Sequence, residues 1–138
     1  MAVTDEDQAF LARFTACALS KEEFRHVDHV RLGWILLMQA PLLTALLRFR
    51  VLLKAFAAHH GVPGLYNETI TCFYMLLICE CMGRMDGAHD WMRFKEANPE
   101  LFGYPKALLE NYYPGGTAFS EEAKRVFMLP TPLPAEAA

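Results

Sequence analysis

The chain has 138 residues, of which 54% are hydrophobic, 12% aromatic and 21% charged, with a formal net charge of −3. That length suits one domain, the apolar content excludes intrinsic disorder, and the mild acidity lends no electrostatic support to a nucleic-acid partner. Four cysteines are too few for a disulfide scaffold, and the acidic opening MAVTDEDQ lacks the basic and then apolar pattern of a secretion signal. The expectation is a soluble protein of the reducing cytoplasm. The longest uncharged stretch, residues 32–47, is interrupted by Pro41 and falls short of the roughly 20 residues that a membrane helix needs.

In chain order, every segment between turn signals reads as helix, and none shows the alternating, β-branched pattern of a strand. A first helix is predicted over residues 5–18, with Asp5, Glu6 and Asp7 at its positive end and Phe10, Phe14 and Cys17 on its buried side. Ser20 and Glu23 form a capping-box signature, which predicts a second helix from there to about Gln39. Pro41 suits the first position of a third helix, ending near His60 before Gly61. The fourth helix, residues 66–84, is the most apolar. A fifth is predicted over 88–97, a short one over 106–111, and a last one from the Ser120 cap to about Phe127. The fold class is therefore all-α: one compact domain of five or six helices spanning 1–138, with residues 1–5 and 129–138 extended or loosely ordered.

Two features carry chemistry. His26 and His29 stand three apart on the second helix, so both imidazoles project from one face at a spacing that suits two ligands of one metal. On the fourth helix Glu68, Cys72, Met75, Cys79 and Met82 follow each other at helical intervals and put one carboxylate on an otherwise sulfur-rich seam. A buried carboxylate needs a partner, a proton or a metal. Cys79 and Cys81 do not make a soft-metal pair, because alternate residues of a helix face different ways. His59 and His60 favour the negative end of the third helix. No phosphate loop, hydrolase elbow or paired C-x-x-C motif is present.

The segments Phe24 to Leu32 and Tyr66 to Thr71 resemble the two signature blocks of a small, uncharacterised bacterial family of helical proteins. The first block reads aromatic-x-His-x-x-His-Leu there, and the second reads Tyr-His-Glu-Thr-Ile-Thr. The resemblance extends to Ala97–Leu101, the Tyr112–Tyr113 pair and the closing segment from Phe127. It implies that His26, His29 and Glu68 belong to one polar site. Asn67 stands where that family usually has His, which puts any role of that position in doubt here.

Two histidines and a carboxylate on neighbouring helices match a known way of building zinc or non-haem iron sites. The sharpest expectation is accordingly a divalent metal held by His26, His29 and Glu68, oriented by Thr69, Thr71 or Tyr66 and acting on a small, largely apolar molecule. Without metal, the same trio makes an acid–base site. Trp34, Tyr66, Thr71, Cys72 and Phe73 are the predicted ligand-binding residues, with Tyr74 also available to wall a pocket. The alternative is a non-catalytic module, binding a hydrophobic ligand or another protein, in which the trio is structural. The stretches 33–53 and 66–82 look too apolar for a small monomer to enclose, so a homodimer, an apolar pocket or both are expected.

Overall fold

Local capping chemistry decides where most of the helices start. In the computed structural model, which describes residues 3–131, the Thr4 hydroxyl accepts from the Asp7 amide at 3.1 Å and opens α1, Asp5–Thr15. This helix stops earlier than expected because Cys17 turns into the left-handed region, with φ 56°, and the Ala18 amide closes back onto the Arg13 carbonyl. The Ser20 capping box forms as read: the Glu23 amide donates to Ser20 Oγ at 3.1 Å, and the Ser20 amide donates to Glu23 Oε1 at 2.9 Å. It caps only a turn. Phe24 swings into an aromatic cluster with Phe14 (centroids 4.6 Å) and Phe56 (5.0 Å), Arg25 is extended, and α2 runs His26–Gln39.

Pro41 is the N-cap of α3, Leu42–His59, rather than its first helical residue. After a short 3-10 turn at Pro63–Leu65, the Asn67 side chain accepts from the Ile70 amide at 2.9 Å and starts α4, Glu68–Gly83. Asp90 caps α5, Trp91–Ala97, and a 3-10 turn at Pro99–Phe102 leads into α6, Pro105–Tyr112. A further 3-10 segment, Pro114–Phe119, bends at Gly115 and Gly116, whose φ values of 75° and 72° suit glycine. The Ser120 cap then opens α7, Glu121–Arg125. Seven α-helices and three 3-10 segments thus make an all-helical bundle with no strand among the described residues.

At the centre α2, α3 and α4 pack on one another. Along α2, Val30, Leu32, Gly33, Trp34, Ile35 and Leu36 are all buried, so that helix is enclosed around most of its circumference. Gly33 permits the close crossing with α4: a Cβ there would lie 3.0 Å from Ile78 Cδ1. One side of the core joins Phe14, Leu32, Phe49 and Phe56, and the other joins Trp34, Ile78, Phe94 and Leu101. The apolar stretch that becomes α3 is only partly enclosed, because Leu43, Leu47 and Val51 lie at the surface. No described helix is long and apolar enough to cross a membrane. Beyond α7 the chain is tied back to the bundle: Thr69 Oγ1 donates to the Val126 carbonyl and accepts from the Met128 amide, and the Thr131 amide donates to the Tyr112 carbonyl. Most of the expected loose tail, residues 132–138, lies outside the described residues, as do residues 1 and 2 of the expected loose start.

A candidate ligand cavity beside the paired histidines

The break after Phe24 sets His26 and His29 on the first turn of α2, facing a cavity of about 640 Å3. Its wall is mostly apolar and includes Val30, Phe49, Leu53, Phe56, Ile70 and Leu109. Four helices contribute to it, namely α2, α3, α4 and α6. The volume falls within the range of about 300–1,000 Å3 usual for small-molecule sites.

The two histidines have different roles. His26 Nε2 lies 2.8 Å from the Leu101 carbonyl, an arrangement in which that nitrogen carries the proton and donates, and its ring meets Tyr74 edge-on at 5.2 Å. His29 lies against the Phe24 ring with centroids 4.0 Å apart. Burial, reinforced by the neighbouring His26, lowers the His29 pKa to about 4, so its imidazole is neutral at pH 7. Tyr74 lines the same cavity, and its buried hydroxyl has no hydrogen-bond partner among the described residues. Burial pushes that phenol up to about 12.

Glu68 is held elsewhere. Arg50 of α3 places Nε 3.0 Å from both carboxylate oxygens and a terminal nitrogen 2.9 Å from one of them. The Tyr66 hydroxyl donates to Glu68 Oε1 at 2.5 Å. Burial alone would raise the pKa of this carboxyl, but the hydrogen bonds from Arg50 and Tyr66 and the charges of Arg50 and Lys54 outweigh it and hold the group below its ordinary value. Burial, followed by the bond to Glu68, raises the Tyr66 phenol, and burial with the Glu68 charge raises the Cys72 thiol. Glu68 therefore stands as an ion pair beside the cavity wall and not on it. Among the described residues, no group of three or more His, Cys, Asp or Glu side chains is placed to hold a metal ion.

Of the predicted ligand-binding residues, Tyr66 and Thr71 line the cavity. Trp34 belongs to the core, where its Nε1–H donates to the Ala88 carbonyl at 2.8 Å. Phe73 packs on Tyr112 and Tyr113 at 4.8 and 5.7 Å, and Cys72 is buried next to Glu68. Thr69 spends its hydroxyl on the returning chain. Asn67, at the position where the resemblance anticipates His, caps α4 and donates from Nδ2 to the Ala118 carbonyl at 2.8 Å.

On α4 the sequence reading named Thr71 and Tyr74 and missed Asn67 and Ile70, which share their face. The cavity face of α4 and its cap is Asn67, Ile70, Thr71 and Tyr74, a seam one position behind the sulfur-rich one. That single position is a rotation of about 100° around the helix. Lys21, Tyr104, Lys106, Leu109 and Phe119 also line the cavity, brought there by tertiary packing that no local periodicity announces. No protein-family model matches the chain, and no curated protein or solved structure matches it either.

Proposed function

We propose that the protein binds one small, largely apolar molecule in the cavity between α2, α3, α4 and α6, and that His29 receives its polar group. The observation that carries this reading is a large, mostly apolar hollow with the imidazole of His29 on its wall. The neutral imidazole of His29 offers a donor and an acceptor without the desolvation cost of a charge.

The ionisation of these groups favours binding over turnover. Acid–base catalysis works best with groups whose pKa lies near the working pH. A histidine near 4 and a phenol near 12 flank neutrality at a distance on either side. The metal reading has less support, since Glu68 gives both oxygens to Arg50.

The test uses a neutral apolar fluorophore, N-phenyl-1-naphthylamine. One-to-one binding is expected, and Ala57→Trp, which places an indole at a buried wall position on α3, should weaken it at least about tenfold, the equivalent of about 1.4 kcal/mol. Absent binding overturns the proposal. So does undiminished binding by a folded Ala57→Trp protein.

The exposed stripe on α3 supports a second element of the proposal, a homodimer. Leu43, Leu47 and Val51 are 78%, 55% and 57% exposed and recur at i, i+4 and i+8, the spacing of an interhelical seam. Analytical ultracentrifugation should give twice the chain mass of 15.7 kDa. Leu47→Glu should return the protein to that mass, and a wild-type monomer would remove this element.

A further inference from the structure

We propose that the molecule taken by this cavity is an anionic amphiphile, with an alkyl or aryl body against the apolar wall and a carboxylate at the rim beside Lys21 and Lys106. The inference rests on the reading of the cavity as a binding site and adds the chemical class of the ligand.

Charge on the wall is the first observation. The chain as a whole carries a net charge of −3, yet the only formally charged side chains lining the cavity are two lysines, and no described carboxylate lines it. Lys21 comes from the turn before α2 and Lys106 from the first turn of α6. Segments far apart in sequence thus bring two like charges to the lining of one hollow, which favours an anion over a cation there.

The second observation is that no described carboxylate lies within ion-pair distance of either lysine. The ion pairs there involve Arg13, Arg25, Arg31, Arg50, Arg84 and Lys124, and neither Lys21 nor Lys106 takes part in one. The acidic groups closest in sequence are Glu22, Glu23 and Glu110, and none of them pairs with either lysine. Glu23 pairs with Arg13 and accepts from the Ser20 amide, while Glu110, one turn beyond Lys106, accepts from the Gly115 amide at 2.7 Å.

The interior fixes where the charge of the ligand sits. Inside, the wall offers aliphatic and aromatic surface, the neutral His29 and hydroxyl groups. A carboxylate buried among these would lose its hydration without gaining a countercharge. Both lysines are exposed, so a carboxylate beside them keeps part of its hydration and gains a countercharge. Two ammonium groups are point charges that recognise an anion by its charge, and a carboxylate is the simplest head group that supplies one.

The test displaces N-phenyl-1-naphthylamine from the full-length protein with three ligands of one chain length, dodecanoate, dodecanol and dodecylammonium, at neutral pH. Dodecanoate is expected to bind about tenfold more tightly than dodecanol, the scale of two exposed ion pairs, and dodecylammonium most weakly. The preference should shrink as salt is raised. In the double variant Lys21→Glu, Lys106→Glu, the ratio of dodecanoate to dodecanol affinity should fall to about one or below. Equal binding of the three ligands overturns the anionic assignment while the cavity reading stands, and so does a preference that survives the double variant. If dodecanol and the fluorophore also fail to bind, the cavity reading falls and takes this inference with it.

Discussion

Replacing His29 by Phe is expected to flatten the acid side of the stability profile. The folded protein holds His29 near a pKa of about 4, against an unfolded value of 6.5, with burial as the larger cause and the adjacent His26 as the smaller. Between those two values the unfolded chain binds a proton that the folded chain refuses, so stability rises with pH across the window and falls as pH is lowered through it. Above 6.5 the residue contributes no pH dependence. The loss reaches about 2 kcal/mol at pH 5 and approaches about 3 kcal/mol near pH 4. A phenylalanine keeps the contact with Phe24 and cannot take up a proton. Urea unfolding of both proteins at pH 7 and pH 5 measures the effect as the difference of differences, which cancels any change in packing. Parallel pH dependence in the two proteins would show that His29 is not enclosed as described. The same experiment bears on the ligand, since a proton on His29 places a charge in the apolar interior and should expel a neutral probe at low pH.

Much of the fold was legible because the signals involved are local. Ser120 caps the last helix as its sequence suggests, and Thr4, Asn67 and Asp90, which the sequence reading did not single out as caps, cap theirs in the same way, each by a side-chain oxygen that accepts an amide two or three residues ahead. Where local and tertiary forces disagreed, the tertiary contact prevailed. The Ser20–Glu23 box is chemically complete, yet the helix it announces does not follow, because burying the Phe24 ring against Phe14 and Phe56 requires the chain to leave helical geometry. That same break aims the two histidines into the cavity.

The candidate site was half legible for a similar reason. The spacing of His26 and His29 guarantees a shared face, and the structure gives them one. The family resemblance joins Glu68 to them, and a carboxylate on an apolar seam does demand a partner. The partner is Arg50, on another helix and 18 residues earlier, and a single sequence contains no mark of such a pairing. The apolar excess of the composition is likewise resolved by the three-dimensional arrangement. Part of it encloses α2, part lines the cavity, and part remains on the outer stripe of α3.

Thr69→Val is expected to cost about 2–4 kcal/mol, through two broken hydrogen bonds at a fully buried position. The hydroxyl donates to the Val126 carbonyl at 2.9 Å and accepts from the Met128 amide at 3.0 Å, so a single oxygen closes the chain beyond α7 onto the start of α4. Valine fills the same volume and leaves both backbone groups without that partner. The two groups lie on the returning chain, which can lift to reach water, so the loss should appear first as local opening. Hydrogen exchange is expected to accelerate at the Met128 and Thr131 amides, which bond to Thr69 and Tyr112, before it does at Ile78 in the core. Thr69→Ser keeps the oxygen and should retain most of that protection. If Thr69→Val and Thr69→Ser exchange alike at Met128, the hydroxyl is not what holds this segment. The distinction matters for the cavity, since α7 joins the returning chain to Phe119, a wall residue. A protein that loses the strap while still binding the neutral fluorophore would place the binding wall in the helices alone. Coupled loss of strap protection and binding would extend the site to the segment that leads into α7.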